Sequence, residues 1–297
     1  MFKAEAMRVG VVGIGNMGWG MAARLLSQGW PVAVHDVDAD RMARAAAAGA
    51  SLCGSAVELA QRSDCVIVAV VDSAQTEAVL FGPLGCDAAM VAGQAVLLCP
   101  TLAPADTERF AARLAQRGID CIDAPMSGGP ARAHDGTMSL MLACADAVFE
   151  RHRALIETLS TSVFRISQEP GDGARTKLVN NLLAGINLAG AAEAMALAER
   201  LGLDLARTLD VVEQSSGQSW IGSDRLRRAL QADYAPRAHT TLLNKDTHLA
   251  LQMAHEVGAT VTLGAQAAAQ FARACESGFA ALDDASLFEM LRRADAA

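Results

Sequence analysis

Aromatic residues make up only 4 % of this 297-residue chain, with three tryptophans and one tyrosine, although 52 % of it is hydrophobic. Ala, Leu and Val must do most of the packing, which favours helices and buried parallel strands over an aromatic-rich β-sandwich. No C-x-x-C joins the seven cysteines (Cys53, Cys65, Cys86, Cys99, Cys121, Cys144, Cys275). An odd, dispersed set reads as reduced, mostly buried thiols of a cytoplasmic protein rather than a disulfide framework. There is no H-E-x-x-H and no Cys/His cluster with metal-ligand spacing, so no metal is expected, and His248 and His255 read as ordinary helix residues. No run of Lys or Arg interrupts a net charge of −8, which argues against nucleic acid as a partner. G-x-S-x-G is absent, which speaks against a serine hydrolase. No apolar run reaches bilayer-spanning length, and Met1 to Ala6 lack a signal-peptide pattern and precede the fold, so no membrane is expected either.

What is present begins with alternation. Short apolar runs starting at Met7, at Pro31, at Cys65 and at Ala95 read as strands, with helical patterns over 17–28, 41–48, 56–61, 75–80 and 105–116 between or after them. Further strands are expected at 120–123, 139–143 and 163–166. Repeated β-α units imply a doubly wound parallel sheet whose ligands bind beyond the carboxyl ends of its strands. After about Ile166 the strand signals fade, and helices are expected over 177–201, 205–212, 222–229, 241–257, 264–276 and 285–293. The chain therefore reads as an α/β domain over residues 7–167 followed by an all-α domain over 168–297.

The first strand ends in Gly13-Ile14-Gly15-Asn16-Met17-Gly18, a G-x-G-x-x-G between strand and helix. Gly13 permits the tight turn, Gly15 lets a pyrophosphate approach the backbone, and Gly18 brings helix and strand close. The helix N-terminus then offers N–H groups to the phosphates. Asp36 ends the second strand, where a carboxylate accepts hydrogen bonds from ribose hydroxyls and repels a 2′-phosphate. NAD is therefore expected over NADP, although Arg41 stands close by in sequence. Val70, at the end of the 65–71 run, joins the cofactor-binding positions.

Two further stretches carry chemistry. Asp123-Ala124-Pro125-Met126-Ser127-Gly128-Gly129-Pro130 lies at a strand end, where a serine and two glycines can form a nest for a carboxylate; an ordinary Ser/Gly turn has the same composition. In Gly171-Asp172-Gly173-Ala174-Arg175-Thr176-Lys177-Leu178-Val179-Asn180-Asn181, two glycines open a helix, and Lys177 and Asn181 share one face of it. That pair suits proton transfer to a small polar substrate, and equally suits a surface lysine beside a buried amide. Lys245-Asp246, taken alone, reads as a surface ion pair of little weight. Trp220, closing the polar cluster 215–220, reads more readily as packing than as a ligand contact.

Together these motifs resemble the β-hydroxyacid dehydrogenase family, which includes 3-hydroxyisobutyrate, tartronate-semialdehyde and L-threonate dehydrogenases. Gly13 to Ala22 is similar to the family's G-x-G-x-M-G-x-x-M-A, Asp123 to Gly129 to its D-A-P-V-S-G-G, Gly171 to Asn181 to its G-x-G-x-x-x-K-x-x-N-N, and Lys245-Asp246 to its K-D. The resemblance runs from Val9 to about Phe288 with the motifs in order. It implies a Rossmann domain followed by a helical one. It also implies Lys177 as general acid/base, Asn181 holding the reacting hydroxyl, and Ser127, Gly128 and Gly129 gripping the carboxylate. Lys245 would close over substrate and nicotinamide, and Thr101 would line the cofactor cleft. A lysine is a poor base at its ordinary pKa, so burial or a neighbouring cation must lower it.

Departures and alternatives remain. The family's D-x-S-T-x-x-P is here Leu98-Cys99-Pro100-Thr101-Leu102-Ala103-Pro104, with Thr101 and Pro104 kept. Asn180 stands where 6-phosphogluconate dehydrogenases carry histidine, which argues against oxidative decarboxylation, and Lys177 argues against an imine reductase. Arg132 and the 215–220 cluster look most like the L-threonate branch. The expected partner is a small carboxylate-bearing hydroxy acid or semialdehyde, and the expected assembly a homodimer or homotetramer. A non-catalytic dinucleotide-binding sensor or scaffold is the competing reading.

Overall fold

The computed structural model describes residues 7–294, so the expectation for Met1 to Ala6 falls outside it. Its residues group into two compact units, one up to Lys177 and one from Leu178 onward.

In the first unit, β1 (Val9–Val12), α1 (Asn16–Ser27), β2 (Val32–His35), α2 (Ala39–Ala47), β3 (Ser51–Leu52), α3 (Ala56–Gln61), β4 (Cys65–Val68), α4 (Ser73–Phe81), β5 (Ala95–Leu98), α5 (Pro104–Ala115) and β6 (Asp120–Asp123) alternate as the sequence requires. The first strand starts at Val9, two residues later than expected. These six strands are all parallel, in the order β3-β2-β1-β4-β5-β6. Successive side chains point to opposite faces. Val9, Val11, Ile67 and Leu97 pack with α1 and α2, while Val12, Val66, Val68 and Leu98 pack with α3, α4 and α5. Each central strand is buried on both faces, which is why it reads as a continuous apolar run.

Beyond β6 the pattern changes. β7 (Met126–Ser127), α6 (Gly129–Asp135), β8 (Ser139–Ala143), α7 (Asp146–Leu159) and β9 (Ser162–Ser167) extend the sheet, with β8 antiparallel to β6 and to β7, and β9 parallel to β8. The sheet is thus doubly wound and parallel through six strands, and mixed at this edge. Helix α7 hides between two strands in sequence, although Val148, Phe149, Leu155, Ile156 and Leu159 form its buried face.

The second half is helical: α8 (Asp172–Arg200), α9 (Leu205–Glu213), α10 (Trp220–Ala229), α11 (Thr240–Glu256), α12 (Thr262–Ala274) and α13 (Leu287–Ala294). Leu188, Ala192 and Met195 of α8 share a core with Leu209, Leu226, Leu243, Phe271 and Phe288. The units divide inside α8 rather than at residue 167, because its first turn is hydrogen-bonded to Asp123 at the end of β6. Helix α8 also corrects an expectation. At 29 residues it is long and apolar enough to cross a membrane, with 44 % of its apolar window buried in the protein. Scattered polar residues such as Asn187 and Glu193 interrupt the run in sequence, yet its average stays apolar enough, as it does in core helices of soluble proteins.

Candidate active site

Parallel strands bring their carboxyl ends to one edge, and register aligns them here. Val12 lies opposite both His35 and Val68, Val68 opposite Leu98, and Leu98 opposite Asp123. The segments that follow contain Gly13 to Gly18, Asp36, Val70, Thr101 and Ser127. Five stretches far apart in sequence are thus neighbours along one sheet edge, with a topological switch between β1 and β4.

The glycine loop separates into three physical requirements. Gly13 has φ +83°, and a Cβ there would stand 2.9 Å from both Ala69 O and Val70 Cγ1. A Cβ on Gly18 would lie 1.9 Å from Gly13 O, so only glycine lets α1 come this close to β1. A Cβ on Gly15 would meet nothing nearer than Arg41 Nη1 at 3.7 Å. Gly15 is therefore required by neither space nor conformation, and its openness fits a ligand approaching the backbone. It also caps α1, whose first turn has no side-chain cap and no acidic residue, which suits an anion. Ile14 is buried, Met17 packs on the core and Asn16 is exposed.

Asp36 stands across from this loop. Its Oδ2 accepts from Ile14 N at 2.7 Å and its Oδ1 from Asp38 N at 2.9 Å, so the carboxylate braces the loop from β2. Arg41 approaches Asp36 and Asp38, each at 3.4 Å. Asp38 in turn caps α2 through Asp40 N and Arg41 N. The cationic side chain that the sequence left beside the site is thus paired with two carboxylates.

At the end of β6, Ser127 sits on β7 opposite Ser139. Gly128 and Gly129 follow with φ +125° and +78°, conformations that side chains rarely adopt. Arg132 packs beneath Gly128 and donates to Thr137 O, so its guanidinium is turned onto its own loop. Asp123, only 2 % exposed, accepts through Oδ2 from Gly171 N at 2.8 Å and Ala174 N at 3.1 Å. Burial pushes this carboxyl up to about 6, against the pull of the N–H groups of Gly171, Ala174 and Gly173. Lys177, one helical turn beyond Ala174, is 7 % exposed and is no surface lysine.

In the second unit, Asn181 donates from Nδ2 to Asp246 Oδ2 at 2.6 Å, and its Oδ1 accepts from Asn180 Nδ2 at 3.0 Å. Since an ionised carboxylate only accepts, Asp246 dictates which way this amide points. The other oxygen of Asp246 accepts from Lys245 Nζ at 2.7 Å. Asp246 is buried, so the expected surface ion pair is instead a buried carboxylate shared between a partly exposed Lys245 and Asn181. Trp220 opens α10 and is largely exposed, while Ser219 caps that helix through Gly222 N.

Two residues of this arrangement carry no signal as isolated letters. Asp123 and Asp246 each lie within a motif, yet their partners stand 48 to 65 positions away. All seven cysteines are free, and burial raises every thiol, Cys65 and Cys86 to about 12, so none is poised as a nucleophile.

Comparison with known proteins matches both halves. Residues 8–167 fit the NAD binding domain of 6-phosphogluconate dehydrogenase, and residues 171–291 the NAD-binding domain of NADP-dependent 3-hydroxyisobutyrate dehydrogenase. L-threonate dehydrogenase of Cupriavidus necator is 36 % identical over 282 residues, 95 % of each chain. The crystal structure of 3-hydroxyisobutyrate dehydrogenase from Salmonella typhimurium superposes with a TM-score of 0.90 at 34 % identity, covering 96 % of this chain and 99 % of that one. Psf3 in complex with NADP+ and 2-OPP has a TM-score of 0.90 at 28 % identity, covering 95 % and 99 %.

Proposed function

The chain belongs to the β-hydroxyacid dehydrogenase family, and on that premise we propose that it oxidises a small hydroxy acid of the threonate type with NAD, using Lys177 as general acid/base. Membership makes it an oxidoreductase acting on CH–OH groups with a nicotinamide dinucleotide. The uncapped N-terminus of α1 and the open space over Gly15 fit the dinucleotide's pyrophosphate, with Ile14, Asn16, Met17, Val70 and Thr101 around it. When bound, the nicotinamide supplies the two-electron acceptor.

The chain's own residues supply the rest. Ser127 and the N–H groups of Gly128 and Gly129 receive the substrate carboxylate, leaving its hydroxyl for Lys177 and Asn181. Neutral Lys177 takes the hydroxyl proton as the carbon–oxygen double bond forms and hydride leaves the same carbon. Asn181, held by Asp246, orients the reacting oxygen, and Lys245 adds positive charge beside substrate and nicotinamide. The observation that carries this reading is the buried Lys177, one turn from a helix start fixed by Asp123 and one turn from an amide fixed by Asp246. Burial is the condition under which a lysine serves as a base near neutral pH.

The threonate assignment is supported by the similarity to L-threonate dehydrogenase and not by Arg132, whose guanidinium donates to Thr137 O of its own loop. NAD over NADP is supported by Asp36, whose charge Arg41 offsets only in part. A cytoplasmic location is supported by seven unpaired thiols. Assembly into a homodimer or homotetramer is supported by Val179, Leu183 and Leu197, exposed along α8.

The test is NADH formation with L-threonate, D-threonate, 3-hydroxyisobutyrate, D-glycerate, L-serine and 4-hydroxybutyrate, alongside Lys177→Ala. Wild type should favour L-threonate. The variant should lose about 10²-fold or more in kcat while still binding NADH. Equal turnover by Lys177→Ala rejects the assigned base, and a preference for 3-hydroxyisobutyrate rejects the substrate.

A further inference from the structure

The glycine-flanked start of α8 has a use that its spacing alone does not reveal. A helix leaves its first N–H groups unpaired, and a side chain just before the helix usually accepts from them. Here the preceding residue is Gly171, which has no side chain, and the acceptor comes from 48 residues upstream, as Oδ2 of Asp123. A Cβ on Gly173 would stand 2.6 Å from Met141 O and 2.9 Å from Asp123 Oδ2. Glycine at 173 is what lets the helix start seat against β6 and β8, and Gly171 reaches that seat with φ +108°. The first turn of Lys177's helix is therefore bolted to the strand end that leads, four residues later, into Ser127, Gly128 and Gly129.

We infer that Asp123 is a positioning residue that fixes Lys177 relative to the Ser127–Gly129 loop and so sets which carboxylate-to-hydroxyl spacing the enzyme accepts. The inference rests on the roles proposed above for Lys177 and Ser127. Its physical basis is that both ends of the substrate are held by groups joined through one buried carboxylate. A shift of about 1 Å between such groups can cost about 10²-fold in rate. Asp123 keeps this place although burial opposes its charge; Asp172 and the thiols of Cys99, Cys121 and Cys144 are the titratable groups that share its surroundings.

The experiment compares wild type with Asp123→Asn and Gly173→Ala on 2-hydroxy, 3-hydroxy and 4-hydroxy acids, measuring kcat and KM for each, Kd for NADH, and Tm. Asp123→Asn keeps an oxygen for the two N–H groups but removes the charge and puts an amide nitrogen in place of the other oxygen. Gly173→Ala wedges the same joint from the helix side. Both variants should bind NADH within about twofold of wild type, fall in kcat on the best acid by about 10- to 10²-fold, and change the kcat/KM ratio between acids of different length. A uniform fall on all acids, tracking Tm, would make Asp123 a stabilising cap only and overturn the inference. Unchanged kinetics would overturn it as well. If wild type turns over none of the acids, the dehydrogenase reading fails with it; if wild type is active and the ratios hold, the inference alone fails.

Discussion

Replacing Asp36 by Asn tests the cofactor reading at its most exposed point. The native carboxylate accepts from Ile14 N and Asp38 N, with Arg41 at 3.4 Å. Asp36, Asp38 and Arg41 together carry one net negative charge, which Asp36→Asn removes. Opposite one phosphate charge at about 6 Å, with an effective dielectric of about 20, a unit charge is worth about 3 kcal/mol, and solvent around the half-exposed Arg41 reduces this to about 1.5 to 2. The NADP-to-NAD ratio of kcat/KM should therefore rise about 10- to 30-fold. The amide also has a cost, since whichever way it turns, an N–H of its own faces Ile14 N or Asp38 N. An unsatisfied donor of that kind costs about 1 to 3 kcal/mol, but it weakens both cofactors alike. The ratio, and not either affinity, is thus the quantity to measure, at fixed substrate and constant ionic strength. Wild type that already prefers NADP, or a ratio that moves less than about threefold, would refute the electrostatic argument.

Three other outcomes follow from the geometry. Gly15→Ala should leave Tm unchanged yet abolish tight NADH binding, because its Cβ would meet no protein atom nearer than Arg41 Nη1 at 3.7 Å and would stand where the pyrophosphate is proposed to approach. Gly18→Ala should lower Tm as well, since its Cβ would lie 1.9 Å from Gly13 O; equal Tm values for the two variants would undo that distinction. Asp283 is fully buried, and although burial opposes its charge, Arg228 and the N–H groups of Ala238, Ala285 and Arg237 hold its carboxyl down at about 2, below the ordinary 3.8. A depressed carboxyl stabilises the fold above its ordinary pKa, here by about 2 to 3 kcal/mol, and loses that contribution as pH falls through about 2. Asp283→Asn should therefore cost about 3 kcal/mol in urea unfolding at pH 7, with a smaller difference as pH is lowered below 4; a loss under about 1 kcal/mol would contradict this.

Period and punctuation made the fold legible. The helix Ala56–Gln61 and the strands Asp120–Asp123 and Ser139–Ala143 lie where the pattern places them, because each is bounded by a local signal. Strand β3 and strand β7 have two residues each, too few for any period, and β7 exists because β8 pairs with it. The reversed direction of β8 was equally hidden, since a buried strand reads alike in either direction. Helix α6 opens on two glycines and a proline, which spell a turn until Ala133 is seen packed in the core.

The letters alone determined the alternation of elements, the glycine loop and the lysine-amide spacing, because each depends on contacts within a few residues. Tertiary structure decided the environments. Lys177 in isolation is equally a surface lysine, and only folding makes it buried. Asp246 looks like half of a surface ion pair until α11 lies beside α8 and gives it Asn181. Asp123 becomes a helix cap only when β6 meets a turn 48 residues later. Burial, and the hydrogen bonds that burial makes obligatory, are properties of the assembled chain and not of any stretch of it.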